Sequence, residues 1–228
     1  YLAQALFQEV NKLSIKYDID PNLIKDAKAL SNSKEPKASS LVKLIKNSPN
    51  NLFIVDEAYF EFNGKTISYL TNDLDNLIVS RTFSKAFGLA SFRIGYCIAH
   101  ESIIKTLNKI RNPKNVSLFA QEAALAALDD FQHVSSYVKE VNLSKGIFFS
   151  FLTKKKWINP IQGAGNFIFM EIKNNLKREL IIFLELNKVF VRDYGHMEQT
   201  KDYMRITIGT VIQMEKVITL INSFESKL

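Results

Sequence analysis

Short apolar segments and longer amphipathic segments alternate along the first two thirds of the chain. The short segments are rich in β-branched residues, which is typical of strands buried on both faces of a parallel sheet. They occur at residues 52–55, 77–79 and 94–99. The longer segments carry apolar residues at intervals of three and four, the period of a helix with one buried face. They occupy residues 101–111, 117–128 and 132–152, and Pro113 separates the first two. This alternation predicts an α/β core.

The pattern changes near Pro160, where strands and helices follow each other in a mixed order. Strands are predicted at residues 166–170, 189–191 and 204–208, and helices at residues 177–187 and 213–224. Such an order is typical of a small α+β domain. We therefore expect part of a large α/β domain over residues 1–152, ending in a long connecting helix, and a small C-terminal α+β domain over residues 153–228.

The composition indicates a folded globular chain, and its net charge bears on the class of ligand. Its 228 residues are 46% hydrophobic, which is enough to bury a sizeable core. The net charge of +7 is spread along the sequence, so it suits phosphorylated or carboxylated small molecules, or simply a basic surface, and argues against nucleic acid. The basic run from Lys154 to Lys156 follows an amphipathic segment and is interpreted as a solvated helix end.

The sequence also bears on the compartment. No stretch approaches the roughly 18 consecutive apolar residues of a membrane span, and the first residues show neither a basic leader nor a cleavage site. The single cysteine, Cys97, lies within an apolar run, so we expect a buried thiol and no internal disulfide. These features predict a soluble, cytoplasmic protein with no membrane partner.

Residues whose side chains could take part in catalysis or cofactor binding are concentrated between Asp56 and Arg93. Asp56 directly follows a predicted strand, and ligands of open α/β sheets bind beyond the carboxyl ends of strands. A turn carboxylate that caps the next helix is the alternative for this residue. Lys85 follows another strand, with hydroxyl side chains before it and Arg93 eight residues later. An aldehyde cofactor needs an amine nucleophile, and its phosphate needs hydroxyl donors and a guanidinium. An exposed lysine, the alternative for Lys85 alone, accounts poorly for this grouping.

Four segments carry a resemblance to a known family. They are Asp-Glu-Ala-Tyr at 56–59, Ser-Arg-Thr-Phe-Ser-Lys-Ala-Phe-Gly-Leu-Ala at 80–90, Arg-Ile-Gly-Tyr at 93–96 and Met-Arg-Ile-Thr-Ile-Gly-Thr at 204–210. In this order they resemble the fold-type I pyridoxal 5′-phosphate (PLP) aminotransferases of class I/II, and most of all the histidinol-phosphate aminotransferases. The resemblance implies the PLP-transferase fold, with a mostly parallel sheet covered by helices on both faces and a smaller C-terminal α+β domain.

The resemblance also implies which residues hold the cofactor. Lys85 would form the Schiff base with PLP and then move the proton at the substrate α-carbon. Asp56 would pair with the pyridinium nitrogen, and Tyr59 would bond to the 3′ oxygen of the ring. The phosphate would be held by hydroxyl and guanidinium donors, namely Ser84, Arg93 and, as a weaker candidate, Thr82. Lys85, Asp56 and Tyr59 are thus the expected catalytic residues, and no metal is expected.

Two arginines are expected to bind the substrate. Arg205 would hold the substrate carboxylate in a bidentate pair, a geometry that lysine does not match. Arg192 lies where this subfamily has a second arginine near the distal phosphate of the substrate. A strand-end arginine held in a salt bridge is the alternative for Arg192.

The sequence departs from the family pattern in three places. Glu35 stands where the family has an asparagine that contacts the cofactor ring, and a carboxylate beside the 3′ oxygen would be repulsive unless protonated or turned away. Ser91 replaces a glycine close to Arg93. The resemblance further implies that a complete relative has about a third of its length before Tyr1, with a phosphate-binding loop and the aromatic residue that stacks on the ring.

Three functions remain open at this point. The first is an aminotransferase that moves an amino group between glutamate and a phosphorylated keto or amino compound. The resemblance implies a role for it in histidine or other amino-acid biosynthesis. The second is a PLP-dependent decarboxylase of a phosphorylated amino acid. The third is a truncated homologue with impaired catalysis. Because relatives build each active site from two subunits, the resemblance also implies a homodimer.

Overall fold

The computed structural model describes residues 38–228, and these residues form two units. The first contains residues 38–58, Thr66–Thr82 and Gly95–Asn115, and the second contains Tyr59–Lys65, Phe83–Ile94 and Val116–Leu228. The units interleave along the chain, so the division into domains 1–152 and 153–228 stays a prediction. Glu35 lies outside the described residues.

A three-stranded sheet forms the centre of the first unit. Its strands, in spatial order, are β1 (Phe53–Asp56), β2 (Leu77–Thr82) and β3 (Gly95–Ala99). Strands β1 and β2 are parallel, and β2 and β3 are antiparallel. The helices of this unit are α1 (Ala38–Lys46) and α3 (Glu101–Ile110). The sheet is therefore mixed within the described residues, where the resemblance implies a mostly parallel one.

Apolar side chains from the sheet and from α1 form the core of the first unit. Its buried members are Ile45, Ile67, Leu77 and Val79. Buried Asn76 closes the connection between α1 and β1, because its Nδ2 donates to the carbonyls of Ile45, Ser48 and Asn51 at 3.0–3.2 Å. These bonds fix the start of β1 and hence the place where that strand ends.

The second unit contains an antiparallel sheet and most of the helices. Its strands, in spatial order, are β4 (Ile158–Ile161), β5 (Phe167–Ile172), β7 (Tyr203–Thr207) and β6 (Arg192–Asp193). Its helices are α2 (Phe60–Asn63), α4 (Leu118–Asp129), α5 (Phe131–Leu152), α6 (Lys177–Leu186) and α7 (Val211–Glu225). Thr210 and Gln213 form a capping box that begins α7.

Alternation along β5 and β7 gives the second sheet two different faces. One face carries buried apolar side chains that join the helices in a single core, namely Ile168, Met170, Ile172, Met204 and Ile206. The other face carries the intervening residues, which are Phe167, Phe169, Glu171, Tyr203, Arg205 and Thr207. Because successive strand residues point to opposite faces, these aromatic and charged groups lie away from the core.

Most elements predicted from periodicity are confirmed, and three details are corrected. Strand β6 begins at Arg192, whereas the prediction placed a strand at 189–191. Strand β4 and helices α1 and α2 were not predicted. Cys97 is exposed rather than buried, because the first three residues of β3 are exposed and β3 lies at one edge of the described sheet. None of the helices in residues 38–228 combines the length and the apolar content needed to cross a membrane.

Candidate active site

Asp56 ends β1 and is fixed by short local contacts. It lies opposite Ser80 of β2 in the parallel register. Its Oδ1 accepts hydrogen bonds from the Ala58 N–H at 3.0 Å and from the Ser80 hydroxyl at 3.3 Å. Helix α2 has Tyr59 as its N-cap, so Asp56 closes a turn and caps no helix. Its exposed carboxylate stands at the carboxyl end of the parallel strand pair, where α/β sheets bind ligands.

The neighbour of Asp56 forms a buried ion pair. Glu57 Oε2 accepts from Nε and Nη2 of Arg81 at 3.1 and 2.9 Å, and the two side chains are only 8% and 11% exposed. Thr66 donates to the same carboxylate, and Arg81 also donates to the hydroxyls of Thr66 and Ser68. Burial lowers the pKa of Arg81, but hydrogen bonds with Tyr96 and Glu57 outweigh it and leave the pKa raised. The pair ties the chain after β1 to β2.

Lys85 lies in a loop whose neighbouring side chains are buried. Phe83 and Ala86 are 5% and 4% exposed, while Lys85 itself is half-buried. The Leu89 N–H bonds back to the Phe83 carbonyl at 2.9 Å, and Gly88 adopts the left-handed φ of 70° that closes the turn. The two apolar anchors therefore hold the backbone of Lys85, whose own side chain is not fully buried.

The three residues expected at the phosphate occupy different settings. Thr82 ends β2 in the first unit, and half-buried Ser84 begins the Lys85 loop in the second. Arg93 is exposed, and its Nη1 donates to the Ala90 carbonyl at 2.9 Å. The backbone of Arg93 has a φ of 53°, a left-handed conformation that is unfavourable for a non-glycine residue and that the surrounding structure must hold in place.

Arg205 is partly buried among aromatic rings. Its guanidinium carbon lies 5.0 Å from the Phe167 ring centroid and 6.0 Å from that of Tyr194, and its Nη1 donates to the Tyr194 hydroxyl at 3.4 Å. Cation–π contacts favour the charge at this place. The buried Nε–H of Arg205 has no hydrogen-bond partner within residues 38–228. A buried donor without a partner costs free energy, so an anionic ligand that accepted from Nε would be stabilised.

Two rings join Lys85 to Arg205 within the second unit. The Lys85 Nζ lies 5.6 Å from the Tyr59 ring centroid, and the Tyr59 ring meets the Phe167 ring edge to face at 5.5 Å. Phe167 in turn contacts Arg205. Gly165 makes room for both rings, since a Cβ there would lie 2.7 Å from Phe167 Cε1 and 3.2 Å from Tyr59 Cδ1. The amine and the guanidinium therefore belong to one continuous group of side chains.

Arg192 lies opposite Arg205 in the register of β6 and β7. Residues directly opposite in an antiparallel pair share a face, and like charges there repel. No ion pair involves Arg192 within the described part of the chain, so the salt-bridge alternative finds no support there. The next residue, Asp193, is held by Lys177 Nζ at 2.6 Å and by the Gly195 N–H at 2.8 Å. The two arginines offer positive charge for an anionic ligand.

The structure thus groups some of the predicted residues and leaves others apart. Lys85, Tyr59 and Arg205 form one line of contacts, with Arg192 opposite Arg205. Asp56 and Thr82 belong to the other unit, so their approach to Lys85 stays a prediction. Residues 38–228 hold no cluster of three or more histidine, cysteine or carboxylate side chains that could bind a metal ion.

Several residues that shape this site were not predicted from the sequence. They are Gly165, Phe167 and Tyr194 in the second unit and the Glu57–Arg81 pair in the first. One signal could have found Phe167, because it shares the period-two face of β5 with Phe169 and so points away from the apolar core. The other residues depend on contacts between distant segments, which no local pattern reveals.

Relatives of known name resemble this chain over most of its length. A dihydroxyacetone phosphate transaminase of Campylobacter jejuni is 42% identical over 191 residues, which cover 81% of this chain and 50% of that protein. Histidinol-phosphate aminotransferase 2 of Carboxydothermus hydrogenoformans is 36% identical over 191 residues, with 78% and 50% covered. The chain spans about half the length of these two curated relatives.

A solved structure and a family profile agree with these relatives. The histidinol-phosphate aminotransferase of Sinorhizobium meliloti, solved in complex with pyridoxal-5′-phosphate, superposes with a TM-score of 0.71 at 25% identity, covering 82% of this chain and 53% of that one. This confirms the predicted α/β fold of the fold-type I PLP enzymes. The profile of aminotransferase class I and II matches residues 34–221, and the chain therefore belongs to the aminotransferase class I and II family.

Proposed function

We propose that this chain carries out the chemistry of a PLP-dependent aminotransferase, with Lys85 and Arg205 in one active site. The observation that carries the proposal is the line of contacts from the Lys85 amine through Tyr59 and Phe167 to Arg205. It places a nucleophilic amine and an anion-binding guanidinium in the same unit. An amino acid that reacts at its α-amino group needs its carboxylate held nearby, and this arrangement supplies both functions.

The residues present fit the cofactor by the chemistry of their donors. The amine of Lys85 suits its aldehyde, and the exposed guanidinium of Arg93 and the hydroxyls of Ser84 and Thr82 suit its phosphate. The Asp56 carboxylate at the end of β1 suits a protonated ring nitrogen. PLP, when bound, supplies a ring that accepts the negative charge developing at the substrate α-carbon.

The chain's own residues would perform the remaining tasks. The Lys85 amine would accept the proton from the substrate α-carbon and would then donate it to complete the amino transfer. Tyr59 would orient the cofactor through its hydroxyl and limit the movement of Lys85 through its ring. Arg205 would orient the substrate by a bidentate bond to its carboxylate, and this bond would fill the unpartnered Nε donor.

A phosphorylated keto or amino compound is the proposed partner of glutamate. Two guanidinium groups on one face of the second sheet support this substrate class, since Arg192 and Arg205 repel each other unless an anion lies between or beside them. The named relatives also point to phosphorylated compounds, because their names contain dihydroxyacetone phosphate and histidinol phosphate. We place Arg192 near the substrate phosphate and Arg205 at the carboxylate.

The proposal includes a cytoplasmic homodimer. Exposed apolar side chains on α4 support an interface there, among them Leu118, Phe119 and Leu125. A dimer in light scattering of the purified protein at several concentrations is the expected result. A monomer at every concentration would contradict this part of the proposal.

The reaction is tested with purified protein and added PLP in two directions. One assay supplies glutamate and dihydroxyacetone phosphate, and the other supplies histidinol phosphate and 2-oxoglutarate. Dihydroxyacetone and histidinol serve as controls without phosphate. We expect amino transfer with at least one phosphorylated compound, a large loss with its control, and no turnover by Lys85→Ala. Release of carbon dioxide from a phosphorylated amino acid without amino transfer would favour the decarboxylase instead.

A further inference from the structure

A lysine that the proposed chemistry does not use is hydrogen-bonded to the segment that packs against the Tyr59 and Phe167 rings. Lys145 stands in the middle of α5, and its half-buried ammonium donates to the carbonyl of Gly165 at 2.8 Å and to the carbonyl of Gly163. It forms no ion pair within residues 38–228. Burial lowers the pKa of Lys145 below its ordinary value. A cation with two carbonyl acceptors and no carboxylate holds a backbone segment in place.

The segment held by Lys145 sets the packing of the two rings. Gly165 precedes β5 by two residues and is buried against Tyr59 and Phe167, with no space for a Cβ. A shift of the Gly165 backbone would therefore move one ring or the other. Since Tyr59 contacts Lys85 and Phe167 contacts Arg205, the position of this one residue bears on both ends of the line.

The same helix also holds the segment that carries Tyr59. Asn142 precedes Lys145 by three residues on α5, and residues at this spacing share a helix face. Its Nδ2 donates at 3.3 Å to the carbonyl of Phe62, which lies in α2 three residues after Tyr59. One face of α5 thus fixes α2 through Asn142 and the Gly165 segment through Lys145.

We propose that Lys145 is a positioning residue for amino transfer, acting through the carbonyls of Gly163 and Gly165 on the Tyr59 and Phe167 rings. The proposal rests on the proposed function, since it assigns Lys145 a part in setting the distance between Lys85 and Arg205. Within residues 38–228 no hydrogen bond or ion pair joins Lys145 to either of these two residues. Its loss should loosen the Gly165 segment and misplace the groups that hold cofactor and substrate.

The test compares three variants of the full protein. Lys145→Met removes both donors and keeps the length of the side chain, and Lys145→Arg restores the donors. Lys139→Met is the matched control, because Lys139 is an exposed lysine on the same helix. Amide hydrogen exchange of peptides covering residues 162–168, measured without cofactor, reports on the segment itself. Steady-state kinetics and the pH titration of the visible absorption of bound PLP report on the site.

We expect faster exchange of these peptides in Lys145→Met, a kcat/KM for glutamate lower by about tenfold to a hundredfold, and a shifted midpoint of the spectral titration. Lys145→Arg should recover most of each change, and Lys139→Met should match the wild type. Unchanged exchange in Lys145→Met would overturn the proposal. Faster exchange with wild-type kinetics and titration would also overturn it, since Lys145 would then be only structural. If the wild-type protein neither binds PLP nor transfers an amino group, the proposed function fails first and the role of Lys145 falls with it.

Discussion

Two arginines on strands of the two units show opposite environments. Arg81 of β2 donates to Glu57, Thr66 and Ser68, all of them oxygen acceptors supplied by its own unit. Arg205 of β7 lies over aromatic rings, and within the described residues its guanidinium forms one long hydrogen bond, to the Tyr194 hydroxyl. Its buried Nε has no partner within the described residues.

We infer from this difference that Arg81 stabilises the fold, and we propose that Arg205 binds a ligand. A guanidinium has five N–H donors, and burying one without an acceptor costs about 1–3 kcal/mol. Arg81 avoids this cost through its carboxylate and hydroxyl partners. Arg205 bears it in the absence of a ligand, and a carboxylate from the substrate would remove it. Substitution of Arg81 should therefore reduce stability, whereas substitution of Arg205 should reduce activity.

The largest effect is expected for Arg81→Met. Removing one partner of a buried ion pair leaves an uncompensated charge on Glu57, which costs about 3–5 kcal/mol. Denaturant unfolding should show this loss. The double variant Arg81→Met with Glu57→Met removes both charges and should recover part of the stability. If Arg81→Met were as stable as the wild type, the stabilising role assigned to Arg81 would be wrong.

Arg205→Lys should give the next largest effect, and it should appear in the kinetics. Lysine cannot form the bidentate pair with a carboxylate, so kcat/KM for glutamate should fall about a hundredfold, equivalent to about 2.7 kcal/mol. The free energy of unfolding should change by less than about 1 kcal/mol, because Arg205 has few protein acceptors. A variant that loses stability and keeps its kcat/KM would reverse the roles assigned to the two arginines.

Gly165→Ala tests the contact line that leads to Arg205. Its new methyl group would meet Phe167 and Tyr59 at distances that neither ring can accept without moving, and such overpacking costs about 1–3 kcal/mol. Thermal unfolding should occur at a lower temperature, with lower kcat/KM for glutamate. Gly163→Ala is the matched control, since a Cβ there has nothing within 4 Å. Equal behaviour of the two variants would show that the rings are not held through Gly165.

The smallest effect is expected for Glu225→Gln, whose cost in the free energy of unfolding should depend on pH. Hydrogen bonds from Lys155 and Trp157 lower the pKa of the Glu225 carboxyl group below the ordinary value. The charged form therefore stabilises the fold fully above the ordinary glutamate pKa, and this contribution is lost as the pH falls through the lowered pKa. Because the carboxylate is partly exposed, Glu225→Gln should cost only about 0.5–1 kcal/mol at neutral pH. The difference from the wild type should vanish in acid, and a difference that grows there would contradict the assignment.

Much of the fold could be predicted from the sequence because it depends on local periodicity. Short apolar runs located β1, β2 and β3, and helical periodicity located α3, α4 and α5, all to within a few residues. Strand β4 was missed because Asn159 and Pro160 interrupt its apolar pattern. The apolar residues 189–191 suggested a strand, but Phe190 is 78% exposed and the hydrogen-bonded ladder begins at Arg192. The prediction that Cys97 is buried was wrong, because an apolar run does not reveal whether its strand lies at the edge of a sheet.

The candidate site could be predicted only as far as its motifs extend. Lys85, Tyr59 and Arg205 came from their resemblance to a family, and the structure brings them into one line. The links in that line could not be predicted, because Phe167 and Gly165 reach Tyr59 through the packing of segments about a hundred residues apart in sequence. The pairing of Arg192 with Arg205 likewise depends on the register between two strands, which neither strand specifies alone.

The most direct test of the central claim is borohydride reduction of the purified protein after incubation with PLP, followed by peptide mass mapping. Reduction fixes the cofactor on the lysine that holds it. We expect a single adduct on Lys85, no adduct in Lys85→Ala, and less adduct when glutamate is added first, because the substrate displaces the lysine. The role of Lys85 as the Schiff-base lysine would be wrong if Lys85 were unmodified, or if the adduct were spread over exposed lysines and unaffected by glutamate.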